Sequence, residues 1–141
     1  MGTILAIDYG LKRVGLAISD PERSFAFPCD VIENKNVDYL LSQIKSMISE
    51  REVNLVLVGM PYSMNRSNSD MTKNEMEKNV ENFINKLKNV VSVPVKTVDE
   101  RLSSFSAEEK LREAGLSAKK SKKFIDSEAA RLLLEEFLQN L

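Results

Sequence analysis

Histidine is missing altogether from the 141-residue sequence. Its absence excludes Ser-His-Asp and Cys-His nucleophilic sites, and it excludes imidazole-ligated zinc. A catalytic metal would have to rest on oxygen ligands, which suit magnesium or manganese better than zinc or copper. The one cysteine, Cys29, excludes an intramolecular disulfide. Beside Pro28 and Val31 it reads as a packed thiol rather than a nucleophile. Aromatic residues make up only 6% of the chain, so extensive base stacking is not expected. No apolar run approaches the roughly 20 residues that a membrane-spanning helix needs. The chain runs from Met1-Gly2-Thr3 straight into a strand, without a basic, signal-type segment. The expectation is a cytoplasmic protein with no membrane partner. The formal net charge is −1, which by itself gives no reason to propose a nucleic-acid partner.

What is present describes one globular domain, residues 1–141, with 43% hydrophobic and 29% charged residues. Ile4 to Tyr9 is a near-continuous apolar strand, Gly10 to Arg13 turns the chain, and Val14 to Ser19 returns as its hairpin partner. A third strand is expected around Phe27 to Ile32. Val37, Leu40, Leu41, Ile44, Met47 and Ile48 recur at helical spacing. The short all-apolar run Leu55 to Gly59 fits a strand covered on both faces. Residues 60–70, MPYSMNRSNSD, are polar and breaker-rich and read as a loop. Met76, Val80, Phe83, Ile84 and Leu87 mark a second helix, and Val93 to Val98 a fifth strand. Ser103 to Ala114 reads as a helix stopped by Gly115, and Phe124 onward as the last one. The order β-β-β-α-β-α-β-α-α predicts an α/β fold with a mixed five-stranded sheet and helices on both faces. Ligands of such sheets collect beyond the strand C-termini, near the point where strand order reverses.

Acidic residues fall where that rule would put them. Asp8 ends the first strand, Asp99 and Glu100 follow the fifth, and Asp126 opens the last expected helix. A lone carboxylate in a buried strand is costly unless something pairs with it. Asp126, Ala130, Leu133 and Phe137 fall on one helical stripe, so the acid shares the face that packs on the sheet. Carboxylates converging there would repel each other unless a divalent cation neutralised them. Two hard cations about 3.5–4 Å apart can clamp the attacking and leaving oxygens of a phosphodiester. Each acid also has a plain structural role open to it: Asp126 as an N-cap, Asp8 as a turn residue, Asp99 and Glu100 as surface acids beside Arg101. Alternation does not separate Asp99 from Glu100, nor does the sequence choose between one metal and two.

The segments IDYGLKRVGLAISD, VGMP, DERLSS and FIDSEAARLLLEEFL together resemble the YqgF family, related to the RuvC resolvases. The resemblance spans nearly the whole chain in the right order. It implies a ribonuclease-H-like fold and metal-dependent hydrolysis of nucleic acid, in maturation of the pre-16S ribosomal RNA 5′ end or in Holliday-junction resolution. By position it implies catalytic Asp8, Glu100 and Asp126, with Asp99 beside them and Mg2+ or Mn2+ as cofactor. Two departures stand out. After VGMP the family's Asp-Gly pair is replaced by Asn65-Arg66, and DERLTS is DERLSS, with Ser103 for Thr.

Charge distribution points the same way as the resemblance. Residues 101–123 hold seven basic residues against three glutamates, a surplus of four positive charges. The densest part, Lys119, Lys120, Lys122 and Lys123, leads into Asp126 and can hold phosphates without reading sequence. A solvated lysine-rich loop is the plain alternative. Lys12 and Arg13 lie in the turn after Asp8, and Arg13 and Arg101 are suited to bidentate phosphate binding. Tyr62 can stack on a base or pack on its own domain. Partners expected are pre-rRNA or branched DNA, with ribosomal particles alongside, and the protein a monomer or homodimer. Two other classes compete. One is an actin- or sugar-kinase-type nucleotide-binding domain, against which the single-domain length argues. The other is a non-catalytic RNA-binding assembly factor, against which the three acids argue.

Overall fold

The computed structural model describes residues 2–61, 75–99 and 118–141, with residues 118–127 defined through their backbone only. Its strands are β1 (Thr3–Asp8), β2 (Arg13–Ser19), β3 (Ala26–Glu33), β4 (Val53–Met60) and β5 (Val95–Asp99). The helices are α1 (Val37–Glu50), α2 (Glu75–Val90) and α3 (Ala118–Gln139). All five expected strands are present, each within about two residues of its expected bounds. The helix expected over Ser103–Ala114 lies outside the described residues.

The last helix departs from expectation. It begins at Ala118, not at Phe124. Apolar periodicity starts only at Phe124, yet Ala118 and the four lysines are good helix formers and no Gly or Pro interrupts residues 118–124. Backbone propensity therefore carries the helix beyond the reach of the hydrophobic signal.

The strands form one sheet in the order β3-β2-β1-β4-β5. β1–β2 and β2–β3 are antiparallel, while β1–β4 and β4–β5 are parallel. The chain leaves β1 toward one edge, returns through α1, and enters β4 on the other side of β1. Strand order therefore reverses between β1 and β4, which opens a crevice at their C-terminal ends.

Strand alternation sorts the core into two layers. Leu5, Ile7, Leu16, Ile18, Val56 and Val58 face α1 and α2, where Leu40, Ile44, Val80, Phe83 and Leu87 cover them. Ile4, Ala6, Ala17, Leu55 and Leu57 face α3 and pack against Ala130, Leu133 and Leu134. The two central strands, β1 and β4, are covered on both sides, which explains their almost unbroken apolar sequences. The side chain of Asn36 caps α1 by accepting from the Tyr39 N–H at 2.8 Å. Among the described residues no helix is long and apolar enough to cross a membrane. Cys29 lies half-buried against the α1 layer, and burial pushes its thiol up from the ordinary range, in keeping with a packed group.

Candidate active site at the strand ends

Asp8 is the last residue of β1 and is half-buried. It follows Ile4 and Ala6 in alternation, so it belongs to the sheet face that α3 covers. Ile7 is paired with Val58, which puts Asp8 level with Gly59 of β4, and Gly59 is paired in turn with Val98 of β5. Gly59 continues the Leu55, Leu57 series on the α3 face. Gly59 thus contributes no side chain on that face between the ends of β1 and β5.

Alternation along β5 fixes the face of Asp99, which sequence spacing leaves open. Val95 packs against the α1–α2 layer and Val98 against the α3 layer. Asp99 shares the parity of Val95 and is exposed, so it stands on the opposite face from Asp8. Glu100, Arg101 and Tyr62 lie outside the described residues.

Asp126 lies inside α3, eight residues beyond its first residue. Its expected place at the opening of the helix is thus corrected, and with it the N-cap role. The helical stripe itself is present. Ala130 and Leu133 are buried against β1 and β4, and Phe137 packs on the same layer. Asp126 occupies the stripe position one turn ahead of Ala130. Lys119, Lys120, Lys122 and Lys123 likewise belong to α3 and not to a loop. No acidic residue occupies the helix's first turn. Among the described residues no three His, Cys, Asp or Glu side chains form a group able to hold a metal. Glu100 and the Asp126 side chain are not among them.

The turn between β1 and β2 carries exposed Lys12 and leads into Arg13, whose strand position pairs with Glu33. A Cβ on Gly10 would lie 2.2 Å from the carbonyl oxygen of Arg13, so glycine is required for this close approach. Tyr9 faces the other layer and stacks on Phe83 with ring centroids 4.8 Å apart. Asn34 reaches the turn from the end of β3. Its side chain donates to the Gly10 carbonyl at 2.9 Å, and its backbone N–H donates to the Lys12 carbonyl at 2.9 Å. Sequence reading missed this tie, since no local signal links an asparagine to a turn 24 residues away. A groove of about 690 Å³ between β3 and α1 holds none of the candidate site residues.

Comparison with known proteins agrees with this fold. Residues 2–140 match the family model RuvX, described as Holliday junction resolvase. A protein of Maridesulfovibrio salexigens named "Putative pre-16S rRNA nuclease" is 43% identical, over 96% of each chain. One of the same name from Chlorobium phaeobacteroides is 42% identical, over 97% of this chain and 92% of that one. Among solved structures, Thermus thermophilus RuvC in complex with a Holliday junction superposes with a TM-score of 0.60 at 14% identity, covering 99% of this chain and 96% of that one. The fowlpox virus resolvase in its junction complex gives 0.54 at 12% identity, covering 98% and 97%. At such identities the structural likeness establishes the fold, which is that of the RuvC-type, ribonuclease-H-like resolvases.

Proposed function

As a chain that belongs to the RuvX family, the protein is, we propose, a metal-dependent nuclease that hydrolyses phosphodiester bonds in the cytoplasm, at the 5′ end of pre-16S ribosomal RNA. The observation that carries this reading is the backbone placement of Asp8 and Asp126. One ends the central strand at the switch point, and the other sits one turn ahead of Ala130 on the helix covering the same face. Acids 118 residues apart in the chain have no local reason to converge.

The donor set suits a hard divalent cation. It consists of carboxylates from a chain without histidine, beginning at a strand end level with Gly59. Asp8, Glu100 and Asp126 would hold Mg2+ or Mn2+, and the face taken by Asp99 favours Glu100 over it. When bound, such an ion lowers the pKa of water and neutralises charge on phosphate oxygens. The chain's own groups do the rest. Asp8 sits on a strand covered by core on both faces, so its carboxylate is delivered at a fixed height. Lys119, Lys120, Lys122 and Lys123 attract the phosphate backbone, and Arg101, Arg13 and Lys12 contact it nearer the acids. Tyr62 offers a stacking surface for one base.

Relatives named for pre-16S rRNA over nearly their full lengths favour RNA as the substrate. Resolution of four-way DNA junctions, the activity in the family description, is the second reading. The purified protein should cleave a 5′-extended 16S precursor fragment with magnesium or manganese, and Asp126→Asn should not. Cleavage of a four-way DNA junction alone would transfer the assignment to resolution. No cleavage of either would overturn it.

A further inference from the structure

The β1–β2 turn is held by a residue outside itself. The two bonds from Asn34 end on carbonyls of the same turn, those of Gly10 and Lys12. The turn is exposed at Leu11 and Lys12 and half-buried at Gly10. A side-chain amide committed to Gly10 both satisfies that carbonyl and orients the turn. The other ends of the turn are also fixed. Tyr9 is stacked on Phe83, Gly10 lies against the Arg13 backbone, and Arg13 begins β2. Residues 9–13 are thus tied to β3, to α2 and to the strand end that carries Asp8.

Resting on the nuclease reading above, we propose that Asn34 is a positioning residue for the nucleic-acid backbone. It clamps the turn so that the Lys12 and Arg13 cations stand ready for a phosphate next to the one cleaved at the Asp8 end of β1. A cation on a loose turn must be ordered when substrate binds, and that ordering lowers affinity. A clamped turn has already met the cost in folding. Asn34 touches neither the reacting phosphate nor the carboxylates and acts only through the turn.

The test is a double-mutant cycle with a fluorescein-labelled RNA duplex, read by anisotropy with calcium in place of magnesium, together with kcat and KM on the precursor fragment. Asn34→Ala removes the bond to Gly10 and keeps the backbone bond to Lys12. It should weaken duplex binding and raise KM about fivefold, equivalent to about 1 kcal/mol, with kcat changed less than about twofold. In a Lys12→Ala/Arg13→Ala background, which should itself lower the salt slope by about two contacts, Asn34→Ala should have no further effect on binding. A structural role alone would lower thermal stability and act equally in both backgrounds. Wild-type binding by Asn34→Ala, or an undiminished effect without the two cations, would overturn the proposal while leaving the nuclease reading intact. A wild-type protein that neither binds nor cleaves RNA would overturn both.

Discussion

Asp8 and Asp20 stand at opposite ends of the sheet, one closing β1 and the other following β2, its antiparallel neighbour. They are the same residue in the same local setting, yet their surroundings differ. Asp20 is satisfied by its own turn. One of its carboxylate oxygens accepts from the N–H groups of Ser24 at 2.8 Å and Phe25 at 2.7 Å. The Phe25 amide, foremost, holds its carboxyl below the usual range. Around it the sheet end is stitched shut. Ser19 Oγ accepts from the Ile4 N–H at 2.8 Å. The Arg23 guanidinium donates to the Gly2 carbonyl and to Asn54 Oδ1, each at 2.8 Å. Asp8 instead ends a central strand at the switch point, level with a glycine and beneath a helix that carries another aspartate. A carboxylate bound by its neighbours in sequence closes a turn. Asp8 owes its place instead to long-range assembly, through the register of β1 against β4.

The comparison would break most visibly in paired substitutions. Asp8→Asn should lower kcat on the precursor fragment about a thousandfold, the upper range for removing one electrostatic stabiliser. Asp20→Asn, whose side-chain oxygen still accepts both N–H groups, should leave turnover within about twofold. Equal losses would erase the distinction between the two ends. Next in size, glutamates at Lys119, Lys120, Lys122 and Lys123 should weaken duplex binding by about tenfold or more and flatten its salt dependence. An unchanged slope in an anisotropy titration would place the backbone track elsewhere. At the stitched end, Arg23→Ala loses two hydrogen bonds and should cost about 1–2 kcal/mol in urea denaturation, with kcat/KM unaffected. The smallest effect concerns acid. Asp20 has its pKa lowered in the folded state from 3.8, so the stability it contributes is complete above that value and disappears as pH falls through the lower folded one. Urea midpoints measured into that range should fall less steeply for Asp20→Asn than for wild type.

The parts of the fold legible in the sequence were those with a short-range signal. The apolar runs of β1 and β4 announced strands covered on both faces, and the spacing of Leu40, Leu41 and Ile44, or of Val80, Phe83 and Ile84, announced buried helix stripes. Asp126 stands in the same helix as Ala130 and Leu133, and helical periodicity, being local, sets its spacing from them. Its position within the helix was misread for the same reason. The residues before it carry lysines in place of an apolar repeat, and periodicity says nothing where every face is polar. For the acids after β5, alternation could be counted but not oriented, because nothing within Val95 to Asp99 tells which layer each parity meets. Only the packing of Val95 on one side and Val98 on the other decides it, and it does so for Asp99.

By itself, then, the order of residues determined the elements, the acid-only chemistry of a chain without histidine, and the family motifs. Period, composition and spacing are properties of neighbours along the chain. Tertiary structure alone decided which faces Asp8 and Asp99 meet, that Gly59 lies level with Asp8, and that Asn34 holds a turn 24 residues away. Those facts depend on register between strands and on packing between layers. Both are set when the whole sheet and its helices bury their apolar faces together.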